Sequence, residues 1–314
     1  MAPLYIGWIL VGDERVASAR LQGWYVHTAM RARGHRSEVL NAPSAFDTRL
    51  HWKWPRRWWE AARRREVVVF QKVESSRAVA FARLLRRVGT KIVYAQTDPL
   101  DSPMYAVSDA VVASSTQLRD WLTSAGVSPV HAIDEPIDLL PRTLTPTSTR
   151  HRDLRAVFVG SAANVAALAT VKSVLAREEF SDIKLRVVSD HPQADVAWSA
   201  ESAKQALLDA DLALLPCLDT PAAQLKSANR LVLSLSSGLA TVTSLLPSYA
   251  PLIAAGGALS AQTEEEWAVA LRSLRDPERR AALGNRGAGL SWDRFAPERI
   301  ADAWEQLLAS LCGR

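Results

Sequence analysis

The sequence predicts an α/β protein of two parallel-sheet domains of similar size. Short apolar runs alternate with longer amphipathic stretches along most of the chain, the pattern of strands wrapped by helices. The alternation breaks once, at the Pro/Thr/Ser-rich passage 141–149, which has no apolar period and reads as a linker. A length of 314 residues suits two domains of ordinary size. The expected division is an N-terminal domain over 1–146, a C-terminal domain over 147–290, and a final segment over 291–314 that returns to the first.

In the first half, strands are expected over 5–11, 37–40, 67–70, 91–94, 110–113 and 131–133. Helical patterns lie between them over 19–33, 76–87 and 116–125, and each stops at a glycine: Gly34, Gly89 and Gly126. After the linker the order is strand 156–159, helix 165–177, strand 184–188, helix 200–210, strand 212–215, helix 227–237 and strand 240–244. Helices over 264–274, 277–288 and 297–311 complete the chain, the last with Pro297 near its start. Glu264-Glu265-Glu266 supplies the acidic first turn that the helix macrodipole favours. Two such domains enclose a cleft, and ligands of open α/β sheets bind beyond the carboxyl ends of the strands.

An apolar content of 48% against 23% charged residues is that of a globular protein. Cys217 and Cys312 are far apart and make no disulfide framework, which fits a reducing cytosol; Cys217, at the end of an apolar strand, reads as a small buried hydrophobe. His27, His35, His51, His131, His151 and His191 form no tight ligand pair, which argues against a zinc site, and His35 and His131 read as structural. The start, 1–8, has no basic region before an apolar run, so no signal peptide is expected. The charge-free span 231–263 is broken by glycine and proline and reads as a buried helix–strand–loop passage. Charge is unevenly split: 1–146 holds 20 Lys/Arg and 14 Asp/Glu, a net of +6, and the remainder a net of −1. The basic half favours anionic partners or surfaces.

Lys226-Ser227-Ala228-Asn229-Arg230 stands between the strand 212–215 and an uncharged apolar helix. Two cations four residues apart fall on one face of the first helical turns, the end whose partial positive charge favours anions. Either these are solvated side chains at a helix start, or Lys226, Ser227, Asn229 and Arg230 gather around a phosphate. Phe158-Val159-Gly160-Ser161 makes a strand and a tight turn, where Gly160 lets a ligand approach backbone N–H groups; an ordinary strand-to-helix turn reads the same way. Paired with Lys226 and Arg230 across one sheet, Gly160 and Ser161 form a two-sided diphosphate cradle. The Walker spacing is absent.

Taken in order, these motifs resemble those of glycosyltransferases of the GT-B fold, closest to family-four-like enzymes that use nucleotide-sugar donors. The resemblance covers nearly the whole chain. Residues 12–20 resemble the family's first loop, Gly34-His35 its usual helix end, and Val112-Ala113-Ser114-Ser115-Thr116 a strand-to-helix step late in the first domain. Residues 209–216 resemble the strand beside the donor, Lys226–Leu231 the Lys-Ser-x-Asn-Lys-Leu helix start, and 238–244 the Gly-x-Pro-Val-Val-Ala-Thr strand. Ser291-Trp292-Asp293, before the last helix, resembles the segment that crosses back. The resemblance implies two Rossmann-like domains facing across a cleft. One departure is clear: many members carry a ribose-binding Glu three residues after the Arg230 position, where Leu233 stands here, and Leu225 replaces the earlier Glu of the wider family's pair.

The implied activity moves a sugar from a nucleotide-diphosphate-sugar donor to a sugar, aglycone or lipid-linked acceptor. The donor is a co-substrate, and no cofactor is implied. Lys226 and Arg230 would stabilise charge on the leaving diphosphate, with Arg20 contacting it from the first domain. With these cations placed on the diphosphate, no metal is called for. The base lies near Val188-Ser189-Asp190 in this scheme, read by backbone contacts. An inverting enzyme also needs a base for the acceptor hydroxyl; Asp13 and Asp98, just after predicted strands, are candidates for that role or for turn and cap residues. A retaining enzyme needs no such base. Lys72 ends a strand and is a candidate acceptor contact.

The segment 49–65 interleaves Trp52, Trp54, Trp58 and Trp59 with Arg49, Lys53, Arg56, Arg57, Arg63, Arg64 and Arg65. Such a stretch suits a membrane interface, an acceptor sugar or stacked bases, or simply rings packed under a loop with solvated arginines. Resemblance places Trp54 and Trp58 beside the acceptor; no nucleic-acid-binding motif accompanies them. The expected location is the cytoplasm, with this segment as the candidate for contact with the inner membrane face. Two other functions fit the same pattern: a pseudo-glycosyltransferase that joins a nucleotide-linked cyclitol to an amine, and a non-catalytic nucleotide- or glycan-binding protein.

Overall fold

Apolar runs this dense form strands buried on both faces, as parallel sheets require. The computed structural model describes residues 2–50, 59–60, 62–139 and 153–314. Its first sheet holds β1 (Tyr5–Leu10), β2 (Arg36–Asn41), β3 (Val67–Gln71), β4 (Lys91–Gln96), β5 (Ala110–Ala113) and β6 (Val130–Ala132). The order is β2-β1-β3-β4-β5-β6, and every pairing is parallel. The second sheet holds β7 (Leu154–Val159), β8 (Ile183–Ser189), β9 (Val196–Ala197), β10 (Leu212–Leu215), β11 (Ala240–Thr243) and β12 (Leu259–Ser260). Its order is β12-β11-β10-β7-β8-β9, again all parallel.

The strand order reverses between β1 and β3 in the first sheet and between β7 and β10 in the second. At such points the crossover helices diverge to opposite faces and leave a crevice beyond the strand ends. The expected α/β class and all ten expected strands are present; β9 and β12, of two residues each, are additional.

The chain divides into two units. One comprises Met1–Pro136, Leu225–Ser227 and Pro297–Arg314, the other Ile137–Gln224 and Ala228–Ala296. In the first, Leu4, Ile6, Trp8 and Val26 pack with Trp304, Leu307 and Leu308 of the final helix, Pro297–Leu311. The Trp8 and Trp304 rings lie 5.8 Å apart. His35 is structural here: its Nδ1 accepts from the Leu4 N–H at 3.0 Å, which leaves Nε2 to donate to Glu305 at 2.8 Å. Ile9, Val68 and Phe70 meet Phe81 and Leu85 of the helix Ser76–Arg87 on the opposite face. In the second unit one face of the sheet is covered around Val171, Trp267, Leu271, Phe158 and Leu235, and the other around Val157, Val159, Ala203 and Leu207.

The left-handed stops are where the sequence puts them, with φ of 87°, 88° and 85° at Gly34, Gly89 and Gly126. The acidic turn at Glu264 forms a capping box between Thr263 and Glu266. Three helices differ from expectation. The one expected over 19–33 is a continuous run of Ala17–Ala19, a π segment Arg20–Trp24, and Tyr25–Ala32. The one over 165–177 is two shorter helices, Ala162–Val165 and Leu168–Leu175. The one over 277–288 runs on to Phe295, so Ser291-Trp292-Asp293 lies inside a helix rather than in a connecting segment. Gly287, within it, has a tertiary role: a Cβ there would meet the Gly257 carbonyl oxygen at 2.7 Å. At Gly284 a Cβ would meet that of Gly238 at 2.0 Å. The expected linker, 141–149, lies outside the described residues.

Candidate functional site

β7 ends at Val159 and β10 at Leu215, so Gly160 and Cys217 follow the two strands that flank the switch point of the second sheet. The Cys217 N–H donates to the Ser244 hydroxyl at 3.0 Å, which ties that loop to the end of β11. Arg230 enters from the first turn of the helix Asn229–Ser236. Its Nη2 donates to the Cys217 sulfur at 3.1 Å, and its guanidinium carbon lies 5.9 Å from the centre of the Phe158 ring. The fully buried Tyr249 hydroxyl interacts with both Arg230 and Cys217. Arg230 Nη1 is buried and has no hydrogen-bond partner.

This is a charged group among neutral ones. Burial pushes the Cys217 thiol up, and the neighbouring guanidinium offsets only part of that, so sulfur stays protonated at neutral pH. Burial raises Tyr249 as well, so the phenol also stays neutral. Arginine cannot shed its proton to match them. No carboxylate of the described residues pairs with Arg230. A buried cation without a counter-ion is costly unless an anion arrives.

Gly160 contributes space, not hydrogen bonds. Its N–H is spent on the Val188 carbonyl at 3.1 Å, and the Ala162 N–H donates to Asp190 at 2.5 Å. That corrects the expected backbone cradle: a carboxylate of the chain already occupies part of it. A Cβ on Gly160 would lie 2.8 Å from the Phe158 ring and 3.4 Å from Arg230 Nη1, so any other residue would crowd the ring and the guanidinium. The Ser161 hydroxyl accepts from Asn164 at 2.8 Å. Ser189 is buried, and its Oγ accepts from the His191 N–H at 3.1 Å.

Lys226 is not in the helix. The helix starts at Asn229, capped by Ala228 without a side-chain bond, so the two cations do not share its first turn. Lys226 pairs with Asp98 in the first unit, and the neighbouring residues are held there too: Ser115 Oγ donates to the Leu225 carbonyl at 2.7 Å, and the Ser227 hydroxyl donates to Glu135. Lys72 pairs with the other oxygen of Asp98, from a backbone at φ 57° that side chains rarely adopt. Burial alone would raise the Asp98 carboxyl; the two ammonium groups overcome it and hold the pKa at about 2. Lys72 also lies 5.0 Å from the centre of the Phe46 ring.

Asp13 is a turn residue, paired with Arg15 at 2.6 Å, and hydrogen bonds from Arg15 lower its carboxyl. Arg20 opens the π segment rather than a helix, and its guanidinium donates to the Glu14 carbonyl at 3.1 Å. Leu233 packs with the Val157, Val159 and Val188 cluster, so the place of the expected ribose-binding carboxylate is an apolar contact. Trp54 and Trp58 lie outside the described residues. Of their neighbours, Trp59 packs against the core, Arg49 pairs with Asp47 at 2.9 Å, and Arg65 pairs with Glu38.

Sequence reasoning missed Cys217, Tyr249 and Glu135 as polar partners. Cys217 carried one usable signal, its position just past a strand end. Among the described residues no cluster of ligating side chains is arranged to hold a metal ion, and no helix is long and apolar enough to cross a membrane.

No protein-family model and no curated protein matches the sequence. Solved structures do match. An α-glucosyltransferase in complex with UDP and a 13-mer DNA containing an HMU base aligns with a TM-score of 0.69 at 8% identity, covering 98% of this chain and 100% of that one. A glycosyltransferase from Rickettsia africae aligns at 0.66 and 11% identity, covering 98% of each chain. Anabaena HepE, in complex with UDP and glucose, aligns at 0.66 and 11% identity over 98% of this chain and 100% of its own. The fold is that of the GT-B glycosyltransferases, as the sequence motifs implied.

Proposed function

We propose that this chain is a glycosyltransferase that moves a sugar from a nucleotide-diphosphate-sugar donor to an acceptor hydroxyl or amine. The observation that carries this is the Arg230 guanidinium at the β7/β10 switch point, buried beside Gly160, with an unpartnered Nη1 and no carboxylate counter-ion among the described residues. Breaking the glycosidic bond of such a donor leaves negative charge on the diphosphate oxygens. A preorganised cation in a partly dry site stabilises that charge as it develops. The fork of Arg230 has a donor left over for a phosphate oxygen. Solved structures of this fold bound to UDP support the reading.

Neither carboxylate candidate suits general-base catalysis. Asp98 sits at about 2 and Asp13 below its ordinary range, both tied to cations, whereas an effective base has a pKa nearer the working pH. A retaining course, which needs no base from the first unit, fits the chain better. Asp98 then acts by holding Lys72 and Lys226 in place.

Calorimetric titration with UDP, ADP and GDP, followed by product detection with the best binder and its sugar, tests the function. We expect one nucleoside diphosphate to bind the wild-type chain and binding to collapse in Arg230→Ala. A wild-type chain that binds none of them refutes the proposal.

A further inference from the structure

The arrangement around Arg230 has a feature that phosphate binding alone does not explain: the guanidinium is held by a thiol. A carboxylate in the place of Cys217 would bind Arg230 more strongly, but it would cancel the charge that an incoming diphosphate needs. An alanine would leave Nη2 without a partner in a buried site. Thiol sulfur is a weak acceptor that fixes direction while leaving the cation uncompensated.

We infer that Cys217 is a positioning residue for the donor diphosphate: its sulfur holds Arg230 Nη2 at 3.1 Å so that the unpartnered Nη1 is presented over Gly160. The inference deepens the donor-site reading above and rests on it.

Three further contacts support the assignment. The backbone of Cys217 is anchored independently by Ser244, so the sulfur is placed by β10 and β11 rather than by Arg230 itself. Tyr249 adds a neutral hydroxyl that interacts with both members of the pair. Phe158 offers a ring face to the guanidinium, and a ring, like a thiol, brings no net charge. Every group that touches Arg230 directs it without neutralising it. Cys217 is half-buried, so a small alkylating reagent can report on it, and Cys312→Ser removes the other thiol from the experiment.

The test has two arms. In the Cys312→Ser background, the pH dependence of iodoacetamide alkylation gives the apparent pKa of Cys217. Arg230→Leu should raise it, because a nearby cation favours thiolate. Inorganic pyrophosphate should slow alkylation in the parent and not in Arg230→Leu. An unchanged pKa in Arg230→Leu overturns the contact.

In the second arm, calorimetry with the nucleoside diphosphate that binds best compares Cys217→Ala with Cys217→Ser. The alanine variant should weaken affinity about tenfold, the scale of losing a hydrogen bond to a charged group, and serine should recover most of it. The Tm of both should stay near that of the parent. Wild-type affinity in Cys217→Ala overturns the positioning role and leaves the Arg230 site standing. Protection by pyrophosphate with no binding of any nucleoside diphosphate refutes the glycosyltransferase reading and leaves the positioning role intact.

Discussion

In the first unit two lysines share one carboxylate, whereas in the second an arginine faces only a thiol, a phenol and an aromatic ring. Lys72 and Lys226 meet Asp98, and the cluster keeps a net charge of one. Arg230 also keeps a net charge of one, but among the described residues no carboxylate pairs with it. The same formal charge therefore has different consequences. Around Asp98 the charges stabilise one another and contribute to the fold. Around Arg230 the cation is a standing cost, the kind of departure from good packing chemistry that marks a binding site.

The largest effect that follows is on ligand binding. Arg230→Ala should weaken nucleoside diphosphate binding at least about 30-fold by calorimetry, since removing one member of a buried charged contact costs about 2–5 kcal/mol. The fold should lose little, because the variant removes a buried cation that no carboxylate of the described residues neutralises. Lys226→Ala should weaken binding far less than Arg230→Ala; equal losses would break the contrast between the two clusters.

Next comes the acid limb of stability. Asp98 titrates at about 2 in the folded chain against 3.8 ordinarily, so its contribution is fully present above pH 3.8 and is lost as pH falls through 2. At most about 2 kcal/mol is involved, reduced by solvent screening. Asp98→Asn should lower Tm at neutral pH, and its stability should fall less steeply than that of the wild type between pH 4 and 2, as followed by circular dichroism. A parallel pair of curves would remove Asp98 from the folding account.

A smaller effect is expected at Gly160. Gly160→Ala must displace the Phe158 ring or the Arg230 side chain, and should weaken diphosphate binding about tenfold, roughly 1.4 kcal/mol. Smallest is the stability change in Lys226→Ala, below about 1 kcal/mol, because the Lys226 side chain is 48% exposed and Lys72 remains on Asp98. A larger fall in its Tm would mean that Lys226 carries more of the first cluster than its exposure suggests.

Much of this was legible in the residues. The ten longer strands follow from their apolar runs, and the glycine stops from the left-handed turn that only glycine enters freely. The two-residue strands β9 and β12 are too short to show a period. The final turns of Pro277–Phe295 were hidden for a different reason: Gly289, just past the expected stop, usually signals a break, yet the helix runs through it with open space at its Cβ position. The site was half visible. Gly160 could be read from its position after a strand, and Arg230 from its place at a helix start. That Lys226 belongs with Asp98, 128 residues away, could not, since local pattern holds no information about so distant a partner. Nor could the thiol contact, because a cysteine ending a strand resembles any small core residue.

The close approach at Gly284 has a genetic consequence. The carbonyl it abuts, Gly238, belongs to the left-handed turn that closes the helix carrying Arg230. Any side chain at 284 must push that turn aside. A screen for inactive alleles would therefore recover substitutions at Gly284 alongside those at Arg230. The two classes would separate on complementation at reduced growth temperature, where a displaced turn can settle and a missing guanidinium cannot be replaced.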